Sequence, residues 1–513
     1  MAIAITHPFV SAKTDGADGT LVQPSDWNAS HTITLAAGKI MGRTTASAGA
    51  VQELPLAFTA AWDVTFPLTT GAVIGALDTT AQRPAAPTAG MMRWNTTTAV
   101  FEVYSGAAWL SPLTHAAAFM TAFAPTGRLT LETGVPVSTT DQTGKATVYY
   151  TPAGVGFAQY PSYDGTTWSA LAFTELSNDT TASATNKAGP AVAGPYQIQD
   201  LFVWNDAGTN RLTRGPKWSA SATATMTLAT PCVVTWTAHG LWDGATIRFT
   251  TTGALYTGLA ANTDYFVTKV DANTFKLSTT LANQVAGTFI TTSGSQSGVH
   301  TVFNYTSVRG TGAATTELQM LNGIWVNKYD ITNGPAATKG TYVGSVYFNA
   351  SSQIDLKFGS AAAGGGEAVV GLWNAYNRVG IQCVVSTSDD SYTYSVATWR
   401  ASQASATSRA SMVAGLREDF FSFDAHGQVS TAVAGSVASS VAFNNIATPI
   451  SFPGYWTLSG TNLASPSGGG EAQPFGFNYA QQIEKGTAAG VCTWYGDNGG
   501  TERLGGLRMK GRY

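Results

Sequence analysis

Aromatic rings set beside small, turn-forming residues are the groups in this chain with the clearest chemical use. Tyr455-Trp456 follows Pro453-Gly454, and Trp494-Tyr495 precedes Gly496-Asp497-Asn498-Gly499. The apolar face of a sugar stacks on such rings, while a Tyr hydroxyl or Trp N–H adds a directional hydrogen bond. Tyr455, Trp456, Trp494 and Tyr495 are therefore the candidate glycan or receptor contacts. The competing reading is that they cap a β-sandwich or pack against a sister chain. Cleaving a glycan would need two carboxylates held roughly 5–10 Å apart across the sugar. The acids available are Glu367, Asp389, Asp390, Glu418, Asp419, Asp424 and Glu471, and their turn-like settings point to solvated loops.

Other chemistries lack their residues. There is no G-x-S-x-G, and Gly144-Lys145 has neither the upstream glycine nor the following Ser/Thr of a phosphate-binding loop. His7, His31, His115, His239, His300 and His426 are scattered, with no pair at metal-ligand spacing. His239, in Ala238-His-Gly240, reads as a residue that shapes a turn. Cys232, Cys383 and Cys492 are far apart and never form a CxxC, which argues against a disulfide framework or a thiolate metal site. Cys232 and Cys383 sit in alternating apolar stretches and read as small buried hydrophobes. Asp15 and Asp18 faintly resemble a calcium loop, but the ligand spacing is incomplete and a plain turn is the simpler reading. No enzyme activity, cofactor or metal is expected.

The elements that would position these residues are strands. Runs of four to eight residues rich in Val, Ile, Thr, Tyr, Phe and Trp recur, each closed by Gly, Asn or Asp. Helical periodicity is confined to two short candidates, near 401–415 and 478–486. At 513 residues several modules are expected. Charged residues make up only 11 %, against roughly 25 % in ordinary soluble proteins. Such neutral strands suit stacking against copies of themselves, because few strongly hydrated side chains must be stripped of water. A net charge of −3 without a basic stripe speaks against nucleic-acid binding. No run nears the ~18 apolar residues of a membrane span, and the start lacks the pattern of a secretory signal.

Along the chain, residues 1–45 read as a small entry module with a buried Trp27, and 46–70 as an Ala/Thr/Pro-rich extended connector. Residues 71–112 read as a tight β-meander. Its turn Tyr104-Ser-Gly-Ala-Ala-Trp109 has a counterpart in Tyr163-Asp-Gly-Thr-Thr-Trp168, each placing an aromatic on both arms of a hairpin. Residues 221–305 read as a self-contained module with a hairpin folding through Asp271-Ala-Asn273. The triplets Gly364–Gly366 and Gly468–Gly470 read as loops or linkers.

Several passages resemble structural proteins of tailed bacteriophages. Pro8-Phe-Val-Ser-Ala-Lys-Thr-Asp-Gly-Ala-Asp-Gly-Thr-Leu-Val-Gln-Pro-Ser-Asp-Trp-Asn28 resembles the N-terminus of many of them. Arg83-Pro-Ala-Ala-Pro-Thr-Ala-Gly-Met-Met-Arg-Trp-Asn95, with Tyr104–Trp109, is similar to a motif widespread in tail fibres. Leu201-Phe-Val-Trp-Asn-Asp-Ala-Gly-Thr-Asn-Arg-Leu-Thr-Arg-Gly-Pro-Lys-Trp218 resembles an appendage domain whose continuation reappears at Arg309-Gly-Thr-Gly312, Leu321–Asn327, Gly334–Gly344 and Gly371–Arg378. The resemblance implies that 221–305, itself similar to a mobile β module of phage fibres, is inserted into a host domain of 113–220 plus 306–460, with 461–513 as a C-terminal tip. Domain insertion is tolerated at exposed loops whose ends lie close together.

The expectation is an all-β, multi-domain, elongated protein of β-meanders and jelly-roll-like β-sandwich modules, forming a homotrimeric fibre in the virion. Trp94, Phe101, Tyr104 and Trp109 are the candidate trimer-packing residues. The resemblance implies partners among other virion proteins at the portal-neck, tail or capsid through the N-terminal region. It further implies host-surface polysaccharide as a target and assembly in the host cytoplasm. The alternatives are an architectural collar, neck or head-decoration protein without receptor binding, and a glycan-depolymerising tailspike.

Overall fold

In the computed structural model the chain is almost entirely β. The structure describes residues 76–111, 124–154, 158–359, 366–386, 389–451, 453–458, 462–496 and 504–513, and before residue 76 only short strands and Ala17. Trp27, the Asp15/Asp18 loop, Gly364-Gly365 and Asp497–Gly499 lie outside the described residues. Among the described residues there is one α-helix, Leu281–Val285, and no helix long and apolar enough to cross a membrane. The chain divides into two compact units, Met1–Phe119 and Met120–Tyr513.

The first unit is built of small sheets. Ala2–Ile5 pairs with His31–Thr34, and Lys39–Gly42 with Gln52–Pro55. The expected connector 46–70 thus contributes strands, including the pair Ala57–Phe58 and Val64–Thr65. The meander follows: Met92–Asn95, Val100–Tyr104 and Trp109–Leu110 run antiparallel, with Ala76–Asp78 parallel at one edge. Gly106, at φ 98°, makes the turn that sets Trp109 opposite Tyr104.

In the second unit, a four-stranded sheet (Gly380–Ser386, Gly506–Arg512, Phe421–His426, Ser467–Ala472) packs face to face on a larger one. The larger sheet runs through Gln142–Lys145, Ile354–Lys357, Ala368–Val370, Arg409–Ala414, Gly476–Lys485, Gly435–Phe443 and Gly454–Leu458. Strict alternation in the four-stranded sheet turns Ile381, Cys383, Val385, Phe421, Phe423, Leu507 and Met509 inward. Cys232 and Cys492 are also fully buried.

Both helical expectations are overturned. Residues 409–414 and 476–485 are neighbouring strands in the middle of the larger sheet, paired Arg409↔Gln481 to Ala414↔Gly476. They are buried nearly end to end because both faces are covered. A strand covered on both faces loses the polar–apolar alternation that marks it in a sequence. The Gly468–Gly470 triplet is likewise strand, not linker, within Ser467–Ala472. Residues 461–513 do not form a separate tip: Gly476–Lys485 and Gly506–Arg512 sit inside sheets built with residues 380–443.

Residues 220–304 form a seven-stranded antiparallel sheet of their own, from Ala220–Thr223 to Thr225–Met226 at the other edge, with a separate core around Val234, Phe249, Phe275 and Val302. The chain leaves the larger domain after the hairpin Gln197–Asp206/Thr209–Lys217 and returns to lay Thr341–Phe348 against Gln197–Asp206. Exit and return are tied together. Asp200, fully buried, accepts hydrogen bonds from Arg309 Nε at 2.6 Å and Nη2 at 3.2 Å, Thr316 Oγ1 at 2.8 Å and Ser345 Oγ at 2.6 Å. The Arg309 guanidinium lies 4.6 Å from the Trp218 ring and 5.3 Å from the Tyr342 ring.

Candidate functional site

The meander reverses the usual polarity of a small sheet. Along Met92–Asn95 the polar Arg93 and Asn95 are buried, while Trp94 is 42 % exposed. Glu102, also buried, accepts from Arg83 Nη2 at 2.5 Å and from Asn95 Nδ2 at 2.8 Å. Burial alone would raise the Glu102 pKa, but these hydrogen bonds and the two arginines bring it below its ordinary value. The opposite face carries Trp94, which stands opposite Phe101 across the ladder, while Tyr104 and Trp109 lie on the side of Glu102, with the Arg93 guanidinium 5.6 Å from the Trp109 ring. Tyr104 and Trp109 form a tilted ring pair at 5.4 Å, as Tyr163 and Trp168 do at 5.1 Å in their own hairpin.

The four candidate glycan contacts do not form one platform. Tyr455 and Trp456 lie on the edge strand Gly454–Leu458, 53 % and 50 % exposed. Adjacent residues of a strand point to opposite faces, so the two rings serve different surfaces. Tyr455 has company: Trp399 meets it edge-on at 6.2 Å, and Lys485 Nζ lies 5.4 Å from its ring. Trp494 is a correction. It is 2 % exposed, packed among Val429, Val437, Ala464 and Cys492, and its Nε1 donates to the Tyr394 carbonyl at 3.1 Å. The alternation of Cys492–Tyr495 sends Cys492 and Trp494 inward and leaves Tyr495 half-buried, with its hydroxyl 3.0 Å from Ser430 Oγ.

Most of the acids weighed for glycan cleavage are engaged by cations. Glu418 and Asp419 share Arg378, at 2.7 and 2.5 Å, and Asp424 pairs with Arg508 at 2.9 Å on the open face of the four-stranded sheet. Glu367 lies 3.6 Å from Lys357. His239 shapes its turn as expected, with Nδ1 accepting from the Leu241 N–H at 2.8 Å. Among the described residues no three His, Cys, Asp or Glu side chains come together as a metal site.

Sequence reasoning missed one feature. Between the inserted sheet and the larger domain lies a cleft of about 330 Å³, walled by Tyr196, Trp242, Phe266, Tyr347, Phe477 and Tyr479. Tyr196 meets Phe266 edge-on at 5.5 Å, and Tyr347 stacks on Phe477 at 3.5 Å. Arg409, buried in the cleft wall, lies 4.2 Å from the Tyr479 ring. Its parts come from stretches far apart in the chain, and the only local hint was aromatic density around Phe475–Tyr479.

No family model and no curated protein matches this chain. Among solved structures it is similar to the insecticidal delta-endotoxin Cry8Ea1 from Bacillus thuringiensis, at 8 % identity and a TM-score of 0.15, covering 64 % of this chain and 54 % of that one. A Bacillus thuringiensis Cry1Da tryptic core variant matches at 8 % identity and 0.14, covering 64 % and 53 %. The chain spans about half the length of these structures, and likeness at that level carries no argument about fold or function.

Proposed function

We propose that this chain is a structural component of a tailed bacteriophage virion, a tail fibre or a head or neck appendage that acts as a homotrimer. It would be anchored to portal-neck, tail or capsid proteins through its N-terminal region and would meet host-surface polysaccharide through its C-terminal β domains. The observation that carries the proposal is the inverted meander. The segment most similar to a tail-fibre motif places arginine, asparagine and glutamate inside and presents Trp94 outward. A small sheet built that way gains from having its aromatic face covered, and sister chains offer identical faces for doing so. Three copies, multiplied by several fibres, raise the effective concentration so that weak contacts at Tyr455 or Trp456 suffice for adhesion. The mechanism is assembly and multivalent contact, without a reaction.

An architectural role without receptor binding is the second reading, and the burial of Trp494 favours it by removing one of the four candidate contacts. Two measurements on the purified full chain separate these readings. Sedimentation equilibrium should return the mass of a trimer, and excess chain should compete with phage particles for adsorption to host cells. A monomer at micromolar concentration refutes the fibre. A trimer that never blocks adsorption leaves the architectural role.

A further inference from the structure

The cleft between the inserted sheet and the larger domain has the makings of a binding site in its polar atoms as well as its rings. Arg409 is 3 % exposed and Tyr479 likewise 3 %. Arg409 Nε donates to Gln481 Oε1 at 3.2 Å, but its Nη2 has no hydrogen-bond partner, and neither has the Tyr479 hydroxyl. Among the described residues no carboxylate stands within ion-pair distance of Arg409; of the two that line the same cleft, Glu367 lies 3.6 Å from Lys357 and Asp355 accepts from the Gly144 N–H and Asn349 Nδ2, both at 2.7 Å. A buried cation without an anion is costly, and its planar fork of donors matches a carboxylate in geometry as well as charge. Half-buried rings of Trp242 and Tyr196 flank it, and sugars present apolar faces to rings of that kind. The volume, about 330 Å³, falls at the small end of the roughly 300–1,000 Å³ of ligand pockets, room for one or two sugar rings.

We infer that this cleft binds a carboxylate-bearing sugar unit, of the uronic-acid type, with the carboxylate on Arg409 and the Tyr479 hydroxyl and a ring face on the flanking aromatics. Its biological source, an acidic polysaccharide of the host surface, rests on the function proposed above; the site itself stands on the geometry. Placing it here also gives the inserted sheet a role, since Trp242 and Phe266 belong to the insertion and Arg409 and Tyr479 to the larger domain.

Calorimetric titration of the full chain tests it, with a uronic-acid disaccharide and a polyuronate set against their neutral glucose counterparts and a short acidic peptide. Both uronates should bind, and the neutral sugars should bind at least about tenfold more weakly, the scale of one lost charge-assisted hydrogen bond. Arg409→Gln should abolish the difference. Tyr479→Phe guards against misfolding: it removes a hydroxyl that has no partner in the free chain, so the melting temperature should hold while uronate affinity falls several-fold. No uronate binding at millimolar concentration overturns the inference, as does equal binding of neutral sugar or binding of the acidic peptide alone. A monomeric chain that binds uronates would sink the fibre and keep the site. A trimer that adsorbs to cells and ignores uronates would do the reverse.

Discussion

Asp200→Ala should be among the most damaging single substitutions in this chain. Asp200 is fully buried and receives four hydrogen bonds, two of them from Arg309, which lies 109 residues further along on the far side of the inserted sheet. Removing the carboxylate leaves the Arg309 guanidinium in the interior with its Nη2 still bonded to the Gly415 carbonyl at 2.7 Å and its face still against Trp218. Those contacts retain part of the stabilisation, but cation–π contacts are worth only about 0.5–2 kcal/mol each. Breaking a buried pair by deleting one partner costs about 3–5 kcal/mol, and that is the loss expected here. Urea unfolding followed by tryptophan fluorescence reads it, with Trp218 as a nearby reporter. Asp200→Leu combined with Arg309→Met should lose less than Asp200→Ala alone, because the orphaned charge leaves with its partner. A loss under about 1 kcal/mol, the size of an exposed pair, would refute the reasoning. So would a double variant worse than Asp200→Ala.

Three further outcomes follow from the same geometry. Trp494→Ala should cost about 3–5 kcal/mol as a large-to-small change in a core, while Trp456→Ala at its exposed edge should shift stability by less than about 0.5 kcal/mol; comparative thermal melts decide, and equal losses would contradict the burial assignments. Burial pushes the Cys383 thiol up to about 12 and raises that of Cys232, so the native chain should resist a thiol-specific disulfide reagent at pH 8 while the denatured chain reacts at three cysteines; rapid labelling of the native chain would count against this. Burial alone would raise the Glu175 pKa, but hydrogen bonds from the Thr133 and Thr151 hydroxyls and the Gly134 N–H outweigh it and lower it below 4.5. A depressed carboxylate contributes stability above its unfolded pKa that is lost as the pH falls through the folded one, so Glu175→Gln should flatten the decline of stability below pH 4.5; an unchanged acid limb would show that these hydrogen bonds do not hold it.

The hairpins were legible because their information is local. A glycine turn with an aromatic on either arm fixes both the reversal and the register, and Tyr104↔Trp109 and Tyr163↔Trp168 are ladder partners. The strand Gly476–Lys485 was not legible: Gln481, Gln482 and Glu484 are as buried as Ala480 and Ile483, so no period-2 pattern survives. Their polarity is accommodated by side-chain hydrogen bonds that only the assembled sheet supplies. Gln481 Nε2 donates to the Ser408 carbonyl at 2.8 Å, and Glu484 accepts from Arg400 Nε at 2.8 Å. Trp494 misled for a related reason. Its glycine- and asparagine-rich neighbourhood suggested exposure, whereas its place two residues after Cys492 put it on the inward face. The cleft was beyond reach, since Trp242, Arg409 and Tyr479 become neighbours only when the insertion folds back on the larger sheet.

Polar burial also separates the two aromatic surfaces. In the meander the buried cations have their anion: Arg83 and Arg93 both pair with Glu102, at 2.5 and 3.6 Å, and although Arg93 Nε lacks a hydrogen bond of its own, its charge is answered, so the outward Trp94 is what remains to be covered. In the cleft the rings line the wall, and the unsatisfied atoms are the polar ones, Arg409 Nη2 and the Tyr479 hydroxyl. Rings are answered by any apolar face, a sister chain included, whereas a buried guanidinium nitrogen is answered only by an acceptor. The first surface is therefore suited to assembly and the second to selection among saccharides. Substitution of Trp94 should accordingly alter association without touching sugar affinity, and substitution of Tyr479 should do the opposite.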